Sequence, residues 1–329
     1  MGYRLEADES VPKGLRRLIR EEIESSGEYL AGNKPGGPDE AIHEARKSIK
    51  KIRAVLRLVQ PELGAIYDKE NTALGTVAAD LSEIRDAAAI LETFDTLPGS
   101  DEFGPVRHAL AERKKQTDAS KDRDAVIQEA ALGLRKLEKR IKTWPLKTGG
   151  FGALAPGLEL RYRRGRRAMK AAGNEQTPEC FHEWRKRVKD HWYQVRLIES
   201  LWTDEMQARE RSLKELETWL GDDHNLFVMR SLIAGEPAAF GEPAMVDALL
   251  DLIDKRQNEL RRNSLSLGAR LYDDKPKAFT RRIEHLWKEW QSRPKDLEKQ
   301  EVDAAKGDSS PRKPAAKAGR SPRGRARIA

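Results

Sequence analysis

His43-Glu44-Ala45-Arg46-Lys47-Ser48-Ile49-Lys50 returns 139 residues later as His182-Glu183-Trp184-Arg185-Lys186-Arg187-Val188-Lys189. The same offset, without a gap, carries Leu74 onto Leu213, Leu81 onto Leu220 and Arg85-Asp86 onto His224-Asn225. A register held from residue 43 to residue 86 marks an internal duplication. Each copy reads as an amphipathic helix. At about 100° per residue from His43, the side chains of Arg46, Lys47, Lys50 and Arg57 fall within about 60° of one line. Ala45, Ile49, Ile52, Val55, Leu56 and Val59 take the opposite side and are expected to face a core. In the second copy His182, Arg185, Lys186, Lys189, Tyr193 and Arg196 share one stripe, with Trp184, Val188, Val195 and Ile198 opposite.

Around these helices the composition points to an all-α fold. Apolar residues make up 38% of the 329 and charged residues 35%, which suits long solvated helices better than a thick sheet core. Gly/Pro clusters at 33–38, 98–105, 148–152, 173–178 and 235–243 divide the chain. They predict helices near 10–31, 39–60, 65–97 and 104–143, then near 153–172, 178–202, 204–234 and 242–290. The last of each half is open to being broken in two. Two pseudo-symmetric four-helix bundles follow, one over about 1–146 and one over about 147–292. Residues 293–329 lose apolar periodicity, and from Gly307 the Pro/Gly/Ala/Arg mixture predicts a disordered basic tail.

The net charge of +8 is unevenly spread. From Gly307 onward seven Lys or Arg stand against one Asp, so the tail supplies +6 and the body only +2. An anion site in the body must therefore come from segregated charge. Like charges one helical turn apart repel by roughly 0.2–0.5 kcal/mol per pair. Repeating that arrangement twice favours a bound polyanion over a merely solvated face. Glu44 and Glu183 sit off the stripes, and the expectation is that they flank the cations without neutralising them. A row of cations spaced by one helical turn can meet successive phosphates, with Arg giving planar bidentate donors and Lys a point charge. Arg85 and His224 extend the donor set to neighbouring helices.

These residues carry a resemblance. The paired His-Glu-x-x-Lys/Arg helices, the Leu81-to-Asp86 segment and Leu220-Gly221-Asp222-Asp223-His224-Asn225 resemble the CHAD family, the conserved-histidine α-helical domain, over roughly residues 3–290. The resemblance implies two pseudo-symmetric helical bundles that bind inorganic polyphosphate in a basic central cavity, without catalysis, in some members on polyphosphate granules. It implies phosphate contacts from His43, Arg46, Lys47, Lys50, Arg53, Arg57 and Arg85. In the second half it implies His182, Arg185, Lys186, Lys189, Arg196 and His224. The run Tyr162-Arg163-Arg164-Gly165-Arg166-Arg167 resembles the basic helix that opens the second bundle, and Arg166 joins the set from there. Asn225 in place of Asp86, and His191-Trp192 in place of Ile52-Arg53, imply a weaker site in the second half.

Other classes find less support. Glu22-Ile23-Glu24 and Glu215-Leu216-Glu217 lack the lysine of a triphosphate-tunnel ExExK strand. Neither His-Glu repeat has the second histidine of HExxH, and no glycine-rich phosphate loop occurs. The expectation is a binding protein, not an enzyme, with no cofactor and no metal. Cys180 is alone, no apolar run approaches the length of about eighteen residues that spans a membrane, and residues 1–9 lack an apolar signal core. These features predict a cytoplasmic location. The rival reading is non-specific nucleic-acid binding through the tail by counterion release, without the aromatic stacking platform of a sequence reader.

Overall fold

The structure, a computed structural model, describes residues 2–120, 122–201 and 204–292, with backbone alone at 83–85 and 118–120. The predicted basic tail, 293–329, lies outside the described residues. Eleven α-helices and a few 3₁₀ turns make up the regular structure of the described residues, which contain no strand. In order they are α1 (Val11–Leu30), α2 (Gly37–Leu58), α3 (Gln60–Leu63), α4 (Ala65–Thr96), α5 (Gly104–Ser120) and α6 (Arg123–Ile141). They continue with α7 (Ala155–Glu175), α8 (Pro178–Leu197), α9 (Asp204–Gly235), α10 (Pro243–Leu271) and α11 (Pro276–Ser292). The fold is all-α, as composition and periodicity require.

Local chemistry accounts for the boundaries. Helix α8 starts where Thr177 accepts from the Cys180 amide and Pro178 occupies the first turn, which needs no N–H there. Helix α2 begins two residues before the expected Asp39. Gly36, at φ 115°, makes the bend, and Pro38 fits the first turn ahead of Asp39 and Glu40, whose charges suit a helix N-terminus. Asp122 caps α6 by accepting from Ala125. The helix expected over 104–143 is two helices, and the one expected over 242–290 is divided after Leu271.

The duplication is written in the element boundaries. Helices α4 and α9 are both 32 residues long and lie 139 residues apart at each end. The C-termini of α2 and α8, at Leu58 and Leu197, keep that offset, as do the starts of α5 and α10 at Gly104 and Pro243. Packing then mixes the copies. The compact unit spans Met1–Trp290 and holds two apolar clusters, each drawing on both repeats. One joins α1, α2, α6, α7, α8, α11 and the C-terminal end of α10 with the first halves of α4 and α9. The other joins the far ends of α4 and α9 with α5 and α10.

The predicted core faces of both basic helices are buried. Ala45, Ile49, Ile52, Leu56 and Val59, and likewise Trp184, Val188 and Val195, have no exposed surface. Helix α7 crosses the end of α2 at Gly157, where a Cβ would stand 1.6 Å from the Leu58 carbonyl oxygen. That close approach leads the chain into α8 and lays α8 along α2.

Candidate functional site

Helices α2 and α8 pack against one another with part of each stripe turned toward the other. Lys50 is the centre of the arrangement. Burial, then the charges of Lys189, Arg46 and Arg185, push its ammonium down to about 7. Two of those three neighbours come from the other repeat. No carboxylate among the described residues lies within ion-pair distance of Lys50. Helix α1, on another face of α2, directs Glu22 to Lys51 (2.6 Å) and Ser48 (2.8 Å) instead. Helix α4 meets α2 through Asn71, which accepts from Arg53 Nε at 3.1 Å.

The second stripe is bound to α9. Lys189 Nζ donates to Glu217 Oε1 at 2.6 Å and Lys214 Nζ to Glu217 Oε2 at 2.9 Å. Burial raises the Glu217 carboxyl, but Lys189 and then Lys214 outweigh it and hold it at about 2. Lys189 nevertheless falls below its usual value, because burial and Arg185 together exceed what Glu217 restores. Arg185 is likewise lowered by burial, and its Nε has no hydrogen-bond partner among the described residues. His182 and His224 lie in contact, their ring centroids 4.1 Å apart and their planes tilted by 36°. Burial, then Arg185, His182 and Lys186, push His224 down to about 4, and burial, Lys186 and Arg185 lower His182. Both imidazoles are therefore shifted toward the neutral form, in which each offers one N–H donor.

Other expected residues stand at the margin or elsewhere. Lys47 and Lys186 are about half exposed and reach Glu44 at 2.9 Å and Glu183 at 3.3 Å. The expectation that those glutamates leave the cations alone is thus corrected, because an i,i+3 spacing on a helix brings the ends together. His43 opens into a shallow pocket with Asp39, Glu40, Ala88 and Asp95 beside α4. Arg57 donates to Asp190 at 2.6 Å, and Arg161 also lies against the end of α2, bonding the Arg57 carbonyl and Gln60. Arg196 lies over the Trp192 ring, 5.2 Å from its centroid. Arg166 donates from Nε to the Tyr272 carbonyl at 2.9 Å, at the end of α10. Arg85 lies on α4, its side chain outside the described residues. His191 is wholly buried against Tyr162, Tyr272 and Phe279, away from the stripe.

Sequence reasoning missed Glu217, Lys214 and Asp190. The signal lay in the repeat itself, where 217 and 214 correspond to Ala78 and Gly75, so the polar pair is an insertion of charge into an otherwise matched frame. Among the described residues no group of three or more His, Cys, Asp or Glu side chains could hold a metal ion, and no helix is long and apolar enough to cross a membrane.

Residues 23–234, which hold both basic helices and the paired His182 and His224, match the CHAD domain family. The chain belongs to that family. Among solved structures, the crystal structure of the CHAD domain from the plant Ricinus communis aligns over 83% of this chain and 95% of that one, with a TM-score of 0.60 and 16% identity. At that identity the likeness is one of CHAD fold. None of the curated proteins matches the chain. The matched span ends within α9, so α10 and α11 complete this CHAD chain beyond it.

Proposed function

We propose that this CHAD domain binds inorganic polyphosphate where α2 and α8 meet, and releases it chemically unchanged. One observation carries the reading: Lys50 of one repeat lies buried close enough to Lys189 and Arg185 of the other for their charges to disfavour its own, and Arg185 does the same to Lys189. Gathering like charges in a half-buried space costs folding free energy, and a dense polyanion offsets that cost on binding. Lys47, Lys186 and His43 lie outward along the same helices and lengthen the track for a linear chain. The doubled stripe suits a ligand that repeats, and membership in this family agrees with it. Association with polyphosphate granules belongs to the same proposal.

Calorimetry with long-chain polyphosphate and with duplex DNA of matched phosphate concentration tests it. The full chain and a chain ending after Ser292 should both prefer polyphosphate, with Lys50→Glu losing most of the affinity while staying folded. Tighter binding of DNA by the shortened chain, or unaltered polyphosphate affinity in folded Lys50→Glu, overturns the reading.

A further inference from the structure

The cation cluster is not symmetric, although the helices that build it are. Glu217 is nearly buried, its side chain 7% exposed, and each of its two oxygens accepts from one lysine. Its charge also acts on Lys50 and on Arg185. Glu217 thus stands among four cations from α2, α8 and α9, with Asp222 of α9 acting on Arg185 from farther along the helix. In the first repeat the corresponding residue is Ala78, and Gly75 stands where Lys214 does.

We propose that Glu217 is an internal counter-anion of the site, occupying lysine donors that phosphate takes over when the polyanion binds. This rests on the polyphosphate reading above. A carboxylate with two oxygens on two ammonium groups offers the same donors the same kind of acceptor as a phosphate with two free oxygens. It also remains ionised across the physiological range, held low by Lys189 and Lys214. Lys214 is 51% exposed and adjoins solvent, so it is the donor that an incoming phosphate captures first. Lys189 is 21% exposed and can be shared between Glu217 and the ligand without leaving its place. The consequence is directional. Ligand charge concentrates on the Lys50–Arg185 side, where no carboxylate pairs with Lys50, and the Lys189–Lys214 side admits phosphate only against competition. Glu217 keeps the empty site folded and limits how tightly it holds its ligand.

A residue that merely positions Lys189 makes the opposite prediction, which allows a clean experiment. Glu217→Gln keeps the shape and one acceptor but removes the charge, and Glu217→Asp keeps the charge with a shorter reach. Titration of each full-length variant with long-chain polyphosphate in the calorimeter should show Glu217→Gln binding about three- to tenfold tighter than wild type, as expected for loss of one competing charge near a solvated cluster. Glu217→Asp should bind as wild type. Glu217→Gln should also melt lower than wild type in low salt and recover on adding polyphosphate, because its cations have lost their internal partner. A folded Glu217→Gln that binds equally or more weakly overturns the counter-anion, while wild-type binding leaves the functional reading standing. Failure of the wild type itself to bind polyphosphate overturns both.

Discussion

Lys50 is costly to the folded chain because of where it sits. Its ammonium is pushed down to about 7 by burial and by Lys189, Arg46 and Arg185. Between that value and the ordinary lysine range the unfolded chain binds more protons than the folded one, so stability rises with pH across that window and the full cost is felt below it. Lys50→Met should therefore stabilise the protein at pH 6.5 by roughly 1–3 kcal/mol, with the gain shrinking toward pH 9.5. Urea denaturation at the two pH values checks this, and equal gains at both would remove the account. On the proposed function the same group also bears on binding. Affinity for polyphosphate should fall as pH rises through and above about 7, because Lys50 gives up its charge. Lys50→Arg, whose guanidinium stays protonated, should flatten that dependence.

Helix α8 shows how two faces of one element divide labour. Its stripe of Arg185, Lys186 and Lys189 meets the site, while Trp184, Val188 and Val195 are fully buried. His191 sits where the first repeat has Ile52, and both positions are fully buried, so the second repeat places a polar ring where the first has an apolar side chain. Neither of its ring nitrogens has a hydrogen-bond partner among the described residues, and burial, then Arg209, holds its pKa well below the ordinary value. Below about pH 6.5 the unfolded chain takes the proton and the folded one does not, so stability is lost as pH falls. His191→Phe should melt higher than wild type at pH 5 by more than it does at pH 7.5, and parallel melting profiles would count against it. The helix crossing offers a second handle. Gly157→Ala should cost roughly 1–3 kcal/mol in chemical denaturation, since the added methyl meets the Leu58 carbonyl and forces α7 off α2. Because α7 sets the approach of α8, polyphosphate affinity should drop with it.

Across the whole molecule, duplication and packing give different partitions of the same chain. The repeats divide it near residue 146, but each apolar cluster contains residues of both. The site likewise takes Arg46 and Lys50 from one repeat and Arg185, Lys189 and Glu217 from the other. Neither repeat alone would hold the cluster, so affinity should climb with polyphosphate length until one chain reaches cations of both stripes and then level off. A calorimetric series of chain lengths tests this, and indifference to length would exclude a track built from two repeats. The all-α class, the offset of 139 residues and the buried faces of α2 and α8 were readable from periodicity alone, because a helix repeats its environment every few residues. His43, Lys47 and Lys186 were read by the same rule, yet they sit at the rim of the cluster, and Arg166, taken from the family resemblance, lies at the end of α10.

Amino-acid order fixes which residues share a helical face, since that depends only on the pitch of a helix whose existence local chemistry dictates. It thereby settled the duplication, the two cationic stripes and the apolar sides that anchor them. It could not place Glu217 among four cations, direct Arg166 to the Tyr272 carbonyl, or lower Lys50 by the charges of α8. Those outcomes depend on distances between helices far apart in the chain, and the electrostatic energy of a charge depends on what lies within a few ångströms, whatever its position in the sequence.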